Sequence, residues 1–203
     1  MEILPATDAN LRRAVDALRA GDVIAYPTET VYGLGVDPFN AEALARLYAI
    51  KRRDPGNPVL LVVSNLRQLS PLTPAMNQAA KAYAAAFWPG PLSLLLDAAK
   101  GLPESLLGPG GKVCVRLTSC AIAAALCEAF GGAIVSTSAN VSGEPAARRA
   151  ADVPQTGVAI CIEGGELKAG PASTVLDPAT RTILREGAVS KEDIGRISRI
   201  LPK

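Results

Sequence analysis

Apolar side chains recur at helical spacing in five stretches of the chain. Leu11, Ala14 and Leu18 share one face of the first stretch. Asn40 and Ser190 stand where the second and the last stretches begin, and both are residue types that cap helix N-termini. The pattern predicts helices over residues 8–20, 40–53, 75–87, 119–130 and 190–201.

Short apolar runs between these stretches indicate strands. The run at residues 58–63 is apolar throughout, so we expect a strand covered on both faces. Helices and strands alternate irregularly and the strands cluster late in the chain. This favours an α/β (α+β-like) fold with a twisted, open, mixed β-sheet flanked by helices, in one domain over residues 1–203. The predicted strands span residues 22–26, 58–63, 92–96, 112–117, 132–137, 158–162, 174–176 and 182–184.

The composition is typical of a globular protein. Hydrophobic residues make up 49% of the 203 residues and charged residues 20%, so the chain can bury a sizeable core. The net charge of +2 argues against a protein that coats nucleic acid through its global charge. We see neither a signal-peptide core nor a run of about 18 apolar residues, and we expect a cytoplasmic protein outside the membrane.

The sequence contains no histidine. This excludes Ser-His-Asp and Cys-His catalytic groups and most catalytic zinc sites. The four cysteines, Cys114, Cys120, Cys127 and Cys161, form no C-x-x-C pair and are typical of small buried residues in a reducing environment. Any chemistry must rely on positioned cations, hydroxyls, amides and carboxylates, or on a metal ion that arrives with the substrate.

Two polar segments follow predicted elements in the first third of the chain. Residues 26–35 read YPTETVYGLG and place hydroxyls and a glutamate after a buried strand, a pattern as typical of a turn as of a ligand site. Residues 51–58 read KRRDPGNP, and their adjacent cations suit phosphate oxygens or a solvated helix C-terminus. The Rossmann glycine fingerprint and the P-loop are both missing, so a nucleotide would need another kind of loop.

Further polar positions lie where later strands end. Residues 134–143 read IVSTSANVSG and place hydroxyls and an amide at one sheet edge, where they could bind phosphate or cap a helix that begins near Pro145. Ser173 precedes another strand, and Arg116 and Arg185 each end one. A charged residue in that position is also typical of a surface ion pair.

Taken together, these segments resemble the YrdC/Sua5/TsaC family of L-threonylcarbamoyladenylate synthases. The resemblance covers residues 8–189 and leaves the last predicted helix outside, and the length is similar to that of the short, single-domain TsaC type. The strings that carry it are YPTETVYGLG, KRRDPGNP, VCVRLT, IVSTSANVSG, STVLD and ILREG. The K-x-R…S-x-N signature of the family is matched by Lys51, Arg53, Ser138 and Asn140.

The resemblance implies a YrdC-like sheet around a cationic central cavity. There a nucleotidyltransferase would condense ATP, L-threonine and bicarbonate or CO₂ to threonylcarbamoyl-AMP, pyrophosphate and water, with Mg²⁺ accompanying the ATP. The product would pass to TsaB-, TsaD- and TsaE-type proteins that make N6-threonylcarbamoyladenosine at position 37 of ANN-decoding tRNAs. Binding of tRNA or double-stranded RNA is a further implication.

The resemblance also implies a set of site residues, of which the four signature residues would be catalytic. Threonine would be contacted by Thr28, Thr30, Arg116 and Ser173. ATP would be contacted by Lys51, Arg53, Asn57, Lys112, Ser136, Ser138, Asn140 and Arg185. A histidine that many members carry near Val62 is missing here. Glu29 is a candidate general base, although its position in a turn also allows a structural role.

Two other functions stay open at this point. A carbamoyl-adenylating module of the hydrogenase-maturation type shares the scaffold, but its chains are much longer and carry C-x-x-C pairs. A non-catalytic RNA-binding or ribosome-maturation module would need a broad basic face with exposed aromatic side chains. One Trp, four Tyr and three Phe give little material for such a face.

Overall fold

The computed structural model describes residues 1–52 and 59–201, and within these ranges it contains five α-helices and eleven strands. The helices are α1 (Asp8–Arg19), α2 (Ala41–Lys51), α3 (Gln78–Phe87), α4 (Ala121–Phe130) and α5 (Lys191–Ile200). The strands are β1 (Glu2–Pro5), β2 (Val23–Pro27), β3 (Tyr32–Gly35), β4 (Leu60–Val63), β5 (Leu92–Asp97), β6 (Leu107–Gly108), β7 (Lys112–Leu117), β8 (Ile134–Ser138), β9 (Val158–Glu163), β10 (Thr174–Asp177) and β11 (Thr182–Arg185). Within the described ranges, none of the helices combines the length and apolar character that crossing a membrane requires.

The predicted helix ends are confirmed where a side chain caps the backbone. The Asn40 side chain accepts a hydrogen bond from the backbone N–H of Ala43 at 3.0 Å, at the start of α2. Ser190 does the same for Asp193 at 3.1 Å, at the start of α5. Helix α2 ends because Arg52 adopts the left-handed conformation with φ of +47°, which turns the chain away from the helix axis.

Three strands, β1, β3 and the two-residue β6, were not predicted from the sequence. β3 reads YGLG, and its two glycines have low strand propensity, so the segment resembles a turn. The suggested helix near Pro145 is not formed: the helical structure closest to it in this part of the described chain is a single 3₁₀ turn at Ala150–Asp152. The polar groups of residues 134–143 therefore serve something other than the cap of an α-helix.

The strands form one mixed sheet with β8 in its centre. The order is β1-β9-β2-β3-β8-β4-β7-β5-β10-β11, and β6 pairs with the start of β7. β8 pairs antiparallel with β3 on one side and with β4 on the other, so it joins the two halves of the sheet. The predicted mixed, open sheet flanked by helices is confirmed.

The two faces of the sheet are covered differently. Along each strand, neighbouring side chains point to opposite faces. On one face, residues such as Leu61, Leu94 and Val115 join the core that includes α2, α3 and α5. On the other face, residues such as Ile24 and Val62 pack with α1 and α4. These two helices contact β9, β2 and β4, and a cavity lies over the part of that face which they leave uncovered.

We expect Gly35→Ala to lower the free energy of unfolding by about 1–3 kcal/mol, as overpacked cores do. A Cβ atom at Gly35 would lie 2.6 Å from Cε1 of Tyr26 and 3.0 Å from the carbonyl oxygen of Val135. Gly195→Ala is the control, because no atom lies within 4 Å of the added Cβ in α5. That control is expected to raise the free energy of unfolding by about 0.5–1 kcal/mol. Urea denaturation checks both values, and equal stability of the Gly35 variant and the wild type would contradict the packing argument.

Candidate active site

The cavity measures about 620 Å³ and opens on the sheet face that α1 and α4 leave uncovered. This volume lies within the range of small-molecule sites. Both halves of the sheet contribute to its wall, together with the end of α2 and the loops after β2 and β8. The predicted site residues that line it are Thr28, Thr30, Lys51, Arg116, Ser136, Ser138, Asn140, Ser173 and Arg185.

Lys51 joins the end of α2 to the loop after β8. Its ammonium group donates to the carbonyl oxygen of Ser138 at 2.6 Å and to the carbonyl and side-chain oxygens of Asn140, both at 2.8 Å. The hydroxyl of Ser138 lies 3.3 Å away. The carbonyl of Lys51 in turn accepts from the backbone N–H of Ser142 at 3.0 Å. Lys51 is only 3% exposed, so these oxygens replace the water that a buried ammonium group needs.

The side chains of Ser138 and Asn140 complete this junction. The Ser138 hydroxyl donates to the Asn140 side-chain oxygen at 2.6 Å, and the Asn140 amide group donates to the carbonyl of Glu144. Three of the four signature residues are therefore in direct contact. The fourth, Arg53, and the predicted ATP contact Asn57 lie outside the described residues.

The loop after β2 is organised by Thr28. Its hydroxyl donates to the carbonyl of Val31 at 2.7 Å and accepts from the backbone N–H groups of Thr30 and Val31 at 3.2 and 3.3 Å. The hydroxyl oxygens of Thr28 and Thr30 lie 3.1 Å apart, and both residues are less than 9% exposed. A compact turn thus presents two hydroxyl groups at one side of the cavity.

Arg116 lies on the cavity face of β7 and is 2% exposed. Its Nε is 3.1 Å from Oε1 of Glu29, and the other carboxylate oxygen of Glu29 accepts the hydroxyl of Thr118 at 2.7 Å. A buried guanidinium therefore faces the cavity with one carboxylate beside it. The register of the sheet explains this orientation, because Cys114 and Arg116 alternate with the core residues Val113 and Val115.

Ser173 and Arg185 form the opposite wall. Arg185 donates from Nε and Nη2 to the carbonyl oxygen of Ser173 at 3.1 and 2.8 Å, and Nη2 also reaches the Ser173 hydroxyl at 3.1 Å. The hydroxyl of Ser93 on β5 lies 3.0 Å from the same hydroxyl. Three polar side chains from β5, β11 and the residue before β10 meet here.

The loop over residues 164–173 is fastened to the rest of the site by two long side chains. The hydroxyl of Tyr32 donates to the carbonyl of Gly165 at 2.9 Å and accepts from the N–H of Gly164 at 2.9 Å. The guanidinium of Arg148 donates to the carbonyls of Lys168 and Gly170. Ser173 is therefore presented by a loop that is held along its length.

Lys112 does not line the cavity, in contrast to the other predicted residues in the described part of the chain. Its ammonium group lies at the opposite end of β7 from Arg116 and donates to Asp177 at 2.7 Å. Burial alone would raise the pKa of Asp177, but hydrogen bonds from Lys112 and from two backbone N–H groups lower it below its ordinary value. A contact between Lys112 and ATP stays a prediction.

Some lining residues were not identified from the sequence, above all Ser93 and Cys114. Ser93 is the single hydroxyl in the otherwise apolar run LSLLL of β5, and this interruption is the signal that could have identified it. Burial raises the pKa of the Cys114 thiol to about 11, although Arg185 and Arg116 lower it, so the thiol is neutral at pH 7. The prediction of buried cysteines is confirmed for Cys114, Cys127 and Cys161, while Cys120 is half-buried.

Comparison with known proteins identifies the fold and the sequence pattern. The family model for Sua5, YciO and YrdC proteins, which is described as "Telomere recombination", matches residues 16–187. A threonylcarbamoyl-AMP synthase of Alkalilimnicola ehrlichii is 46% identical over 180 residues, which make up 88% of this chain and 93% of the relative. A second one, from Thiobacillus denitrificans, is 43% identical over 171 residues, which make up 83% of this chain and 90% of the relative.

Solved structures give the same result. The crystal structure of P. abyssi Sua5 complexed with L-threonine superimposes with a TM-score of 0.88 at 32% identity and covers 97% of this chain. This chain corresponds to 59% of that longer Sua5 chain. E. coli YciO superimposes with a TM-score of 0.79 at 28% identity, covering 90% of this chain and 91% of its own. Because the family model matches most of its length and relatives exceed 40% identity, the chain belongs to the Sua5/YciO/YrdC family.

Proposed function

We propose that this protein is a threonylcarbamoyl-AMP synthase, which condenses ATP, L-threonine and bicarbonate to threonylcarbamoyl-AMP, pyrophosphate and water; with CO₂ in place of bicarbonate, no water is released. The observation that carries the proposal is that nine of the predicted ATP and threonine contacts line a single cavity. The relatives named threonylcarbamoyl-AMP synthase and the threonine complex of Sua5 support the same reaction.

The threonine side of the cavity is assigned to Arg116, the Thr28–Thr30 turn and Ser173. A guanidinium fork suits the carboxylate of an amino acid, and short hydroxyls suit its remaining polar groups. Arg116 is 2% exposed, so this end of the cavity gives little access to solvent. Such shielding protects a carbamate, which hydrolyses readily in water.

The nucleotide side is assigned to Lys51 with its partners Ser138 and Asn140, and to Ser136 and Arg185. Arg53 and Asn57 are added to it on the family resemblance alone. The positive charges of Lys51, Arg185 and Arg116 would attract a triphosphate to the cavity. In the transfer step, the carbamate oxygen forms a bond to the α-phosphorus of ATP and pyrophosphate leaves. The protein contributes positioning and charge stabilisation, so a chain without histidine can catalyse this step.

We propose that Mg²⁺ arrives with the ATP and neutralises phosphate charge. The cavity lining offers hydroxyls and an amide. In the part of the chain that the structure describes, no cluster of three or more acidic or cysteine side chains is arranged to hold a metal ion. This donor set fits an ion held chiefly by phosphate oxygens and water. Transfer of the product to the tRNA-modifying proteins, contact with tRNA and a cytoplasmic location belong to the same proposal.

The purified protein, given ATP, Mg²⁺, bicarbonate and threonine, is expected to release pyrophosphate and to form threonylcarbamoyl-AMP. Mass spectrometry detects the adenylate, and omission of threonine is the control. Turnover that depends on carbamoyl phosphate instead would favour the hydrogenase-maturation chemistry. RNA affinity without pyrophosphate release would favour a binding module, and either result would overturn the proposal.

Lys51→Ala is expected to lower kcat/KM by about 100-fold or more, the scale on which a lost electrostatic stabiliser reduces rate. The ammonium group both faces the cavity and holds Ser138 and Asn140 in place. Lys81→Ala on the exposed side of α3 is the control and should retain wild-type rates. Circular dichroism establishes that both variants are folded, and a loss below about fivefold at Lys51 would remove it from the catalytic group.

Arg116→Lys is expected to raise the KM for threonine by about 10- to 100-fold, because lysine keeps the charge but loses the two-pronged contact with a carboxylate. The KM for ATP should stay unchanged. Steady-state kinetics with each substrate varied in turn measures both constants. An equal rise in both would show that Arg116 does not act on the threonine side alone.

A further inference from the structure

Glu29 lies beside the cavity but is not among its lining residues in the part of the chain that the structure describes. Its neighbours Thr28 and Thr30 both line the cavity, while the Glu29 carboxylate turns toward β7. Its Oε1 is buried and forms an ion pair with Nε of Arg116 at 3.1 Å, although the two groups are not aligned as a hydrogen bond, and its Oε2 accepts the hydroxyl of Thr118. A general base must reach the proton that it removes, whereas both oxygens of this carboxylate contact protein groups, those of Arg116 and Thr118.

Thr118 fixes the other carboxylate oxygen in space. It is 3% exposed, and its backbone N–H donates to the carbonyl of Val63 at 3.1 Å. Its hydroxyl also accepts from the backbone N–H of Cys120 at 3.1 Å, which leaves the hydroxyl proton for Glu29. The carboxylate is therefore held by two residues that lie two positions apart, Arg116 on β7 and Thr118 directly after the end of that strand.

The contact on Arg116 uses Nε and leaves the two terminal nitrogens to the cavity. Among the described residues, none accepts a hydrogen bond from either Nη group of Arg116, and the residue lines the cavity. A fixed carboxylate beside Nε favours, by charge attraction, one position of the buried guanidinium group. The two Nη groups are then presented as a fork of the kind that binds a carboxylate with two parallel hydrogen bonds.

We infer that Glu29 is a positioning residue: it orients the guanidinium fork of Arg116 and ties the Thr28–Thr30 turn to β7, so that both walls of the amino-acid subsite keep one fixed geometry. The inference rests on the proposed function, since it takes the ligand of that fork to be the carboxylate of threonine. It replaces the candidate role of Glu29 as general base. The substrate carboxylate meets an oriented fork, and the Glu29 charge balances the buried cation before substrate binds.

Glu29→Gln keeps the shape of the side chain and removes its charge. We expect the KM for threonine to rise by roughly tenfold or more, as small displacements of positioning groups do, with kcat and the KM for ATP nearly unchanged. Any decrease of kcat toward low pH (the acidic limb of the pH profile) should be the same in the variant as in the wild type. A collapse of kcat with loss of that limb, at unchanged threonine KM, would instead identify a general base and overturn the inference.

Thr118→Val and Thr118→Ser provide a second pair of variants in case the Glu29 variant does not fold. Valine removes the hydroxyl at constant shape and should raise the threonine KM in the same direction, whereas serine should restore it. The control is Glu2→Gln, which breaks an ion pair with Arg13 of 2.7 Å on the exposed surface.

In the Arg116→Lys background, Glu29→Gln should change the threonine KM little further, because the two residues act as one unit. Additive effects would contradict a role exercised through Arg116.

A readout without substrate separates this inference from the proposed function. In ¹⁵N NMR spectra, the Nε–H signal of Arg116 should change its chemical shift in Glu29→Gln, which removes the neighbouring charge, and in Thr118→Val, which frees the carboxylate to move. If the wild type forms no threonine-dependent product, the proposed function fails while this signal still decides the role of Glu29. An Arg116 signal that is the same in all variants would overturn the inference.

Discussion

A buried ammonium group links the two elements on which the site depends. Lys51 ends α2, and the oxygens that surround its side chain come from the loop that follows the central strand β8. Transferring an ammonium group from water into a protein is costly, and it is tolerated only where oxygens replace the lost hydration. The positions of Ser138 and Asn140, and through Ser142 the path of the loop, follow from this requirement.

The polar residues of the sheet are concentrated on the part of one face that α1 and α4 leave uncovered. Most of the buried polar side chains, among them Thr28, Ser93, Arg116 and Ser173, lie at the cavity or directly behind it. Several of them pair with one another or with the backbone, for example the hydroxyls of Ser93 and Ser173 and that of Thr28 with the carbonyl of Val31. Because these groups hold one another, the cavity wall is organised before any ligand binds, which is the condition for effective electrostatic stabilisation.

Much of this arrangement could be predicted from the sequence, and the exceptions have physical causes. The helices and most strands follow from apolar spacing and from caps such as Asn40, whereas β3 was missed because its glycines resemble a turn. The grouping of Lys51 with Ser138 was predicted from motifs that resemble a known family. Hydrophobic periodicity could not predict it, because periodicity gives no distance between residues so far apart in the chain. Thr118 was missed because its role depends on which carboxylate faces it in the folded sheet.

The central place of β8 limits how the cavity can change shape. The Thr28–Thr30 turn belongs to the half of the sheet before β8, while Arg116, Ser173 and Arg185 belong to the half beyond it. β8 pairs with β3 through Thr137 and Ser138 and with β4 through residues 134–136, so a single strand ties the two walls together. A change in the distance between the walls would have to bend this strand, whereas the loops at the strand ends can change without breaking its hydrogen bonds.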